Sequence, residues 1–181
     1  MGTLKAILIG GLIAGALDII YAFIIYGPLA TSVGLPPGSA IAPEMVLQSV
    51  AGGWMGRDVA FAGGVNTAII GACTHFGIAI VMAIVYAALF GRAGASNWIL
   101  WGVIYGLILF VVMNYVVVPL SAAADGHFVS SLADGKARIE AAVERGLKLK
   151  YPLLTAGTVF THTVLVGLPI AWANSRFAQH D

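Results

Sequence analysis

The sequence predicts an all-α integral membrane protein built as a four-transmembrane-helix bundle, and three observations carry that prediction. Hydrophobic residues make up 60% of the 181 and charged residues 9%, against about 25% charged in an ordinary soluble domain. Apolar stretches at about 4–26, 65–90, 98–120 and 153–174 each exceed the roughly 20 residues that cross a hydrocarbon core about 30 Å thick. Each stretch also carries one strongly polar residue: Asp18, His75, Asn114 and His162. A charge at mid-bilayer costs at least ~2.5 kcal/mol, so such residues face the bundle interior and find partners.

Composition also limits the function classes. A net charge of +1, with nine scattered Lys and Arg, offers no concentrated basic face for nucleic acid. The single cysteine, Cys73, lies inside an apolar stretch, forms no intrachain disulfide and reads as a small apolar side chain.

The first stretch is read as a retained transmembrane helix rather than a signal peptide. Its length of about 22 residues exceeds the 7 to 15 of a signal core, and it contains an acid. At 100° per residue, Gly11, Ala14, Gly15, Asp18 and Ala22 share one face about 100° wide. Small-residue faces let helix backbones approach closely in lipid, so Asp18 is expected to point at protein.

Gly34, Pro36, Pro37 and Gly38 then make a turn-rich connector. Pro43 suits a helix start, and the helix expected over 43–55 reaches only about 20 Å, which makes it re-entrant or interfacial. Gly52, Gly53 and Gly56 end it. Arg57 and Asp58 follow at the water boundary, either as a solvated loop pair or as a gate or headgroup contact above the polar residues.

In the second stretch Ala68, Gly71, His75, Ala79 and Met82 share a face, which turns His75 inward. The short link over 91–97, with Arg92, is a tight antiparallel turn. Trp98 and Trp101 then fit an interface belt at the start of the third stretch, which Pro119 closes. An amphipathic surface helix is expected over about 135–149, started by Asp134 and Gly135, with Ile139, Val143 and Leu147 as its apolar stripe and Glu144 and Lys148 as an i,i+4 pair. His127 falls in the solvated loop before it. The fourth stretch aligns Thr155, Thr158 and His162, with Pro169 as a kink and Trp172 at the interface. Residues 1–181 read as a single membrane domain without internal repeats.

Alternating crossings put both long connectors on one side and both tails on the other. Counted inward from the connector side, Asp18 is about 8 residues deep, His75 about 10, Asn114 about 6 and His162 about 9, within roughly 6 Å of one level. The four are therefore expected to form a buried polar cluster.

The pieces GLIAGALD with Asp18, THFGIAIVMAIVY with His75, VMNYVVVPLSA with Asn114 and HTVLVGLPIA with His162 resemble those of small bacterial four-helix membrane proteins of the YagU type. The resemblance covers the four spans and little of the connectors. It implies the four-helix architecture and a bacterial inner-membrane location and carries no activity.

Three readings of the cluster follow. In the first it fixes helix order in a structural or accessory subunit, with the bilayer, and either a second copy or a larger membrane complex, as partners; this reading needs no cofactor and no catalytic residue. In the second, a buried carboxylate beside histidines serves proton-linked or small-solute transport. In the third, Asp18, His75 and His162 ligate a metal ion, or the two histidines hold haem b or border a quinone. Basic residues number three on the tail side and six on the connector side, a raw count that puts the connectors in the cytoplasm. Charge density and the family resemblance favour both termini in the cytoplasm.

Overall fold

The computed structural model describes residues 1–91 and 96–178. Residues 92–95 of the expected tight link, Arg92 among them, therefore lie outside the described residues. All regular structure among those residues is helical: α1 Gly2–Tyr26, α2 Pro43–Met55, α3 Arg57–Ala62, α4 Gly64–Phe90, α5 Trp98–Val112, a π-helical segment π1 Met113–Val117, α6 Val118–Leu120, α7 Leu132–Leu147, α8 Pro152–Phe160, a second π-helical segment π2 Thr161–Gly167, and α9 Leu168–Phe177. Four helices, Gly2–Tyr26, Gly64–Phe90, Trp98–Leu120 and Pro152–Phe177, are long and apolar enough to cross a membrane. Their bounds match the four apolar stretches to within three residues at each end.

The chain packs into two compact units. Among the described residues, one comprises those of 1–21, 75–110 and 157–181; the other comprises 22–74 and 111–156 and contains both long connectors. The core of the first is built from Ala14, Ala83, Tyr86, Tyr105, Leu109, Val166, Ile170 and Ala171. The Tyr105 hydroxyl donates to the Met82 carbonyl at 2.6 Å, joining α5 to α4. Backbones meet where side chains are absent. A Cβ on Gly106 would lie 2.5 Å from the Thr163 Cα, so only glycine permits this approach of α5 to π2.

The two π-helical segments were not expected from sequence, and they share a cause. In π1 the Val118 N–H reaches the Met113 carbonyl five residues back. In π2 the Leu168 N–H likewise reaches Thr163. Each segment ends two residues before a proline, Pro119 or Pro169. A proline supplies no N–H and its ring collides with the carbonyl four residues earlier, here Tyr115 or Leu165, and widening the preceding turn relieves that collision.

In the second unit the connectors are more ordered than their composition suggests. The glycine-rich end of α2 leads at once into α3, where Arg57 and Asp58 form a first helical turn rather than a loop. Helix α7 begins three residues earlier than the expected 135, because Ser131 caps it by accepting from the Asp134 N–H at 3.1 Å. Helix α7 packs on the rest of its unit by a face other than its apolar stripe. Its docked face is Gly135, Arg138 and Ala142, which are buried, while along the stripe Ile139 is half-buried and Val143 and Leu147 are 40% and 79% exposed.

Candidate functional site

Glycine at position 15 is what lets α4 come close to α1. A Cβ there would sit 2.8 Å from a ring carbon of Phe76 and 3.2 Å from the Ala79 Cβ. With that space open, His75 on α4 reaches the backbone of α1, and its Nε2 lies 2.8 Å from the Gly15 carbonyl oxygen. A carbonyl only accepts, so Nε2 carries the hydrogen, and Nδ1 is left as the site for a second proton. The same Nε2 stands 3.8 Å from Oδ2 of Asp18, one turn further along α1. That separation is too long for a hydrogen bond and short enough for a charge interaction. The His75 side chain is 12% exposed and that of Asp18 is 33% exposed. Phe76 meets the imidazole edge-on at 5.4 Å.

The orientation of His162 is set within its own helix. Its Nδ1 donates to the Thr158 carbonyl at 2.9 Å, which leaves the lone pair of the neutral ring on Nε2. It belongs to a run of three: Thr161 Oγ1 donates to Gly157 at 2.8 Å, His162 to Thr158, and Thr163 Oγ1 to Val159 at 2.7 Å. Each side chain bonds the carbonyl four residues back, a pattern that bends helices. Here it occurs at the entry to π2, where the regular backbone ladder gives way to the wider one. The Phe110 ring lies 6.1 Å from the imidazole, edge to face.

Asp18, His75 and His162 thus belong to the first unit. Asn114 lies in π1 and, like Arg57 and Asp58, belongs to the second. Arg57 lies over the Phe61 ring of α3 at 5.4 Å. Among the described residues no three His, Cys, Asp or Glu side chains are grouped so as to hold a metal ion.

Sequence reading missed a second polar centre, around Arg138. This guanidinium, 7% exposed, bonds Asp134 Oδ1 at 2.8 Å through Nε and pairs with Asp125 Oδ2 at 3.2 Å. It also donates to the His127 carbonyl at 3.1 Å and to His127 Nδ1 at 3.0 Å. His127 is therefore tied to α7 through its ring rather than left in a free loop. The bond from Arg138, and next the backbone N–H of Ser130, lower the Asp134 pKa from its ordinary 3.8 to about 2. The i,i+4 spacing of Asp134 and Arg138 was the available signal.

Comparison with protein-family models, with curated proteins and with solved structures found no match to this chain.

Proposed function

We propose that the chain is a multi-pass integral membrane protein of the bacterial inner membrane that acts as a structural or accessory subunit, with Asp18, His75 and His162 as a latch between its spans. The observation that carries this reading is the 2.8 Å bond from His75 to the Gly15 carbonyl. A ring nitrogen committed to a neighbouring backbone fixes the crossing of two helices, and interhelical bonds of this kind contribute about 0.6 to 2 kcal/mol in membranes. Asp18 Oδ2, 3.8 Å from the same ring nitrogen, attracts the imidazole when the ring is protonated. Helices α2 and α7 lie at the bilayer surface in this reading, which suits the exposure of Trp54 at 59% and Leu147 at 79%. Both termini face the cytoplasm, and the partner is a second copy or a larger membrane complex.

The test compares His75→Gln with His75→Leu in detergent. A glutamine amide can donate to the Gly15 carbonyl and leucine cannot. A latch predicts that Gln stays within about 0.5 kcal/mol of wild type while Leu loses about 1 to 2 kcal/mol. Equal losses refute the latch.

A second reading, proton-linked transport, is favoured by one specific feature. When neutral, each imidazole has a second ring nitrogen besides the one bonded to a backbone carbonyl, Nδ1 of His75 and Nε2 of His162, and His75 stands 3.8 Å from a carboxylate that is one-third exposed. His75→Gln keeps the donor and removes the proton site, so it abolishes proton movement in reconstituted vesicles if this reading holds.

A further inference from the structure

The turn that joins α7 to α8 is at once basic, apolar and exposed. Helix α7 is docked by its small-residue face, and at Gly146 the Tyr115 hydroxyl occupies the place of a Cβ. Its C-terminal end is left open. There Arg145, Lys148 and Lys150 alternate with Leu147 and Leu149, and all five are exposed. Residues 144–151 hold three bases and one acid, Glu144, a net charge of 3 − 1 = +2. Glu144 pairs with Lys148 at 2.8 Å, and the Lys150 ammonium lies 5.3 Å from the centre of the Tyr151 ring. Leu149 adopts φ 43°, in the left-handed region, and turns the chain at this point.

Covalent continuity then sets the location. Pro152 opens the fourth long apolar helix, and two residues of chain reach at most about 7 Å. Where that helix enters a bilayer, Lys150 and Leu149 are held at its surface. We propose that this turn binds anionic phospholipid headgroups, with Arg145, Lys148 and Lys150 on the phosphate and Leu147 and Leu149 in the acyl boundary. The proposal rests on the membrane insertion read above. Arginine offers a paired-donor fork to phosphate and lysine a point charge. Each basic side chain at an anionic surface contributes a factor of about five.

The experiment titrates the detergent-purified chain with phosphatidylglycerol and with phosphatidylcholine of identical acyl chains and counts bound lipids by native mass spectrometry. Phosphatidylglycerol binds about tenfold or more tightly in the wild type, and the preference is lost when Arg145→Gln, Lys148→Gln and Lys150→Gln are combined. It is kept when Lys148→Arg and Lys150→Arg are combined, and kept in Lys136→Gln, at the other end of the same helix. If the triple variant does not purify, the Lys148→Gln, Lys150→Gln pair serves, with a loss of roughly tenfold or more. Equal binding of the two lipids by wild type, or a preference that survives the Gln substitutions, overturns the proposal. Alkaline carbonate extraction is read in parallel. A chain released from membranes refutes insertion itself, whereas a resistant chain without a lipid preference refutes only this site.

Discussion

Replacing Gly106 by alanine should cost far more than the same change at Gly77, although both glycines lie in long apolar helices. At Gly106 the new Cβ would meet backbone: the Thr163 Cα at 2.5 Å, the His162 carbonyl carbon at 2.9 Å and, closer still, that residue's carbonyl oxygen. Carbon atoms sit comfortably at about 3.5 Å or more, so α5 and π2 must separate by about 1 Å. No rotamer change relieves a clash with main chain. Overpacking of this kind costs about 1 to 3 kcal/mol, and a backbone neighbour puts Gly106 at the upper end. Against that, alanine gains about 1 kcal/mol over glycine in helix propensity. The net loss at Gly106 is then about 2 kcal/mol. At Gly77 nothing lies within 4 Å of the new Cβ, so only the gain of up to about 1 kcal/mol remains. The two variants should differ by about 3 kcal/mol. Denaturation in detergent micelles, followed by circular dichroism, measures the gap. Stabilities within about 0.5 kcal/mol of each other would refute the backbone contact of α5 with π2.

Two further predictions concern the connectors. The Asp134 carboxylate, held at about 2 against an ordinary 3.8, contributes stability that is complete above about pH 4 and lost as the pH falls through about 2. Trp54 packs against Phe128 at 6.2 Å, so its fluorescence, with the other tryptophans replaced by phenylalanine, should show a step between pH 4 and 2 that Asp134→Asn removes; the same step in both proteins would place its origin elsewhere. For topology, single cysteines on a Cys73→Ser background should label Ser32 and Lys136 from one side of the membrane and Ser96 from the other, and same-side labelling of Ser32 and Ser96 would overturn four crossings.

The long helices were legible because an apolar run of 20 or more residues has few alternatives, and no connector residue decides its length. The polar centres were legible only in part. Small-residue faces pointed to Asp18 and His75, but the acceptor of the His75 hydrogen is a backbone oxygen, at Gly15, and a sequence pattern does not display main-chain acceptors. The π-helical segments had a readable sign in the prolines two residues beyond them, together with the Thr161, His162, Thr163 run; each proline read alone predicts only a kink or an end. Arg138 was hidden for a different reason. Its partners Asp125 and His127 sit on a loop whose course depends on Gly126, at φ 82°, and loop geometry of that kind is set by tertiary contacts rather than by periodicity. The docked face of α7 was hard to read as well, since Gly135, Arg138 and Ala142, which are buried, do not make an apolar stripe.

The latch is tested most directly by a double-mutant cycle on Asp18 and His75 in the detergent-solubilised protein, read by unfolding. If the 3.8 Å pair acts as a unit, removing the acid leaves the imidazole without its carboxylate neighbour, and removing the imidazole leaves the carboxylate without that ring beside it. Asp18→Asn combined with His75→Ala is then no less stable than the worse single variant, with a coupling of about 0.5 to 3 kcal/mol. Strictly additive losses would mean that Asp18 and His75 act independently, and the latch would fall with them.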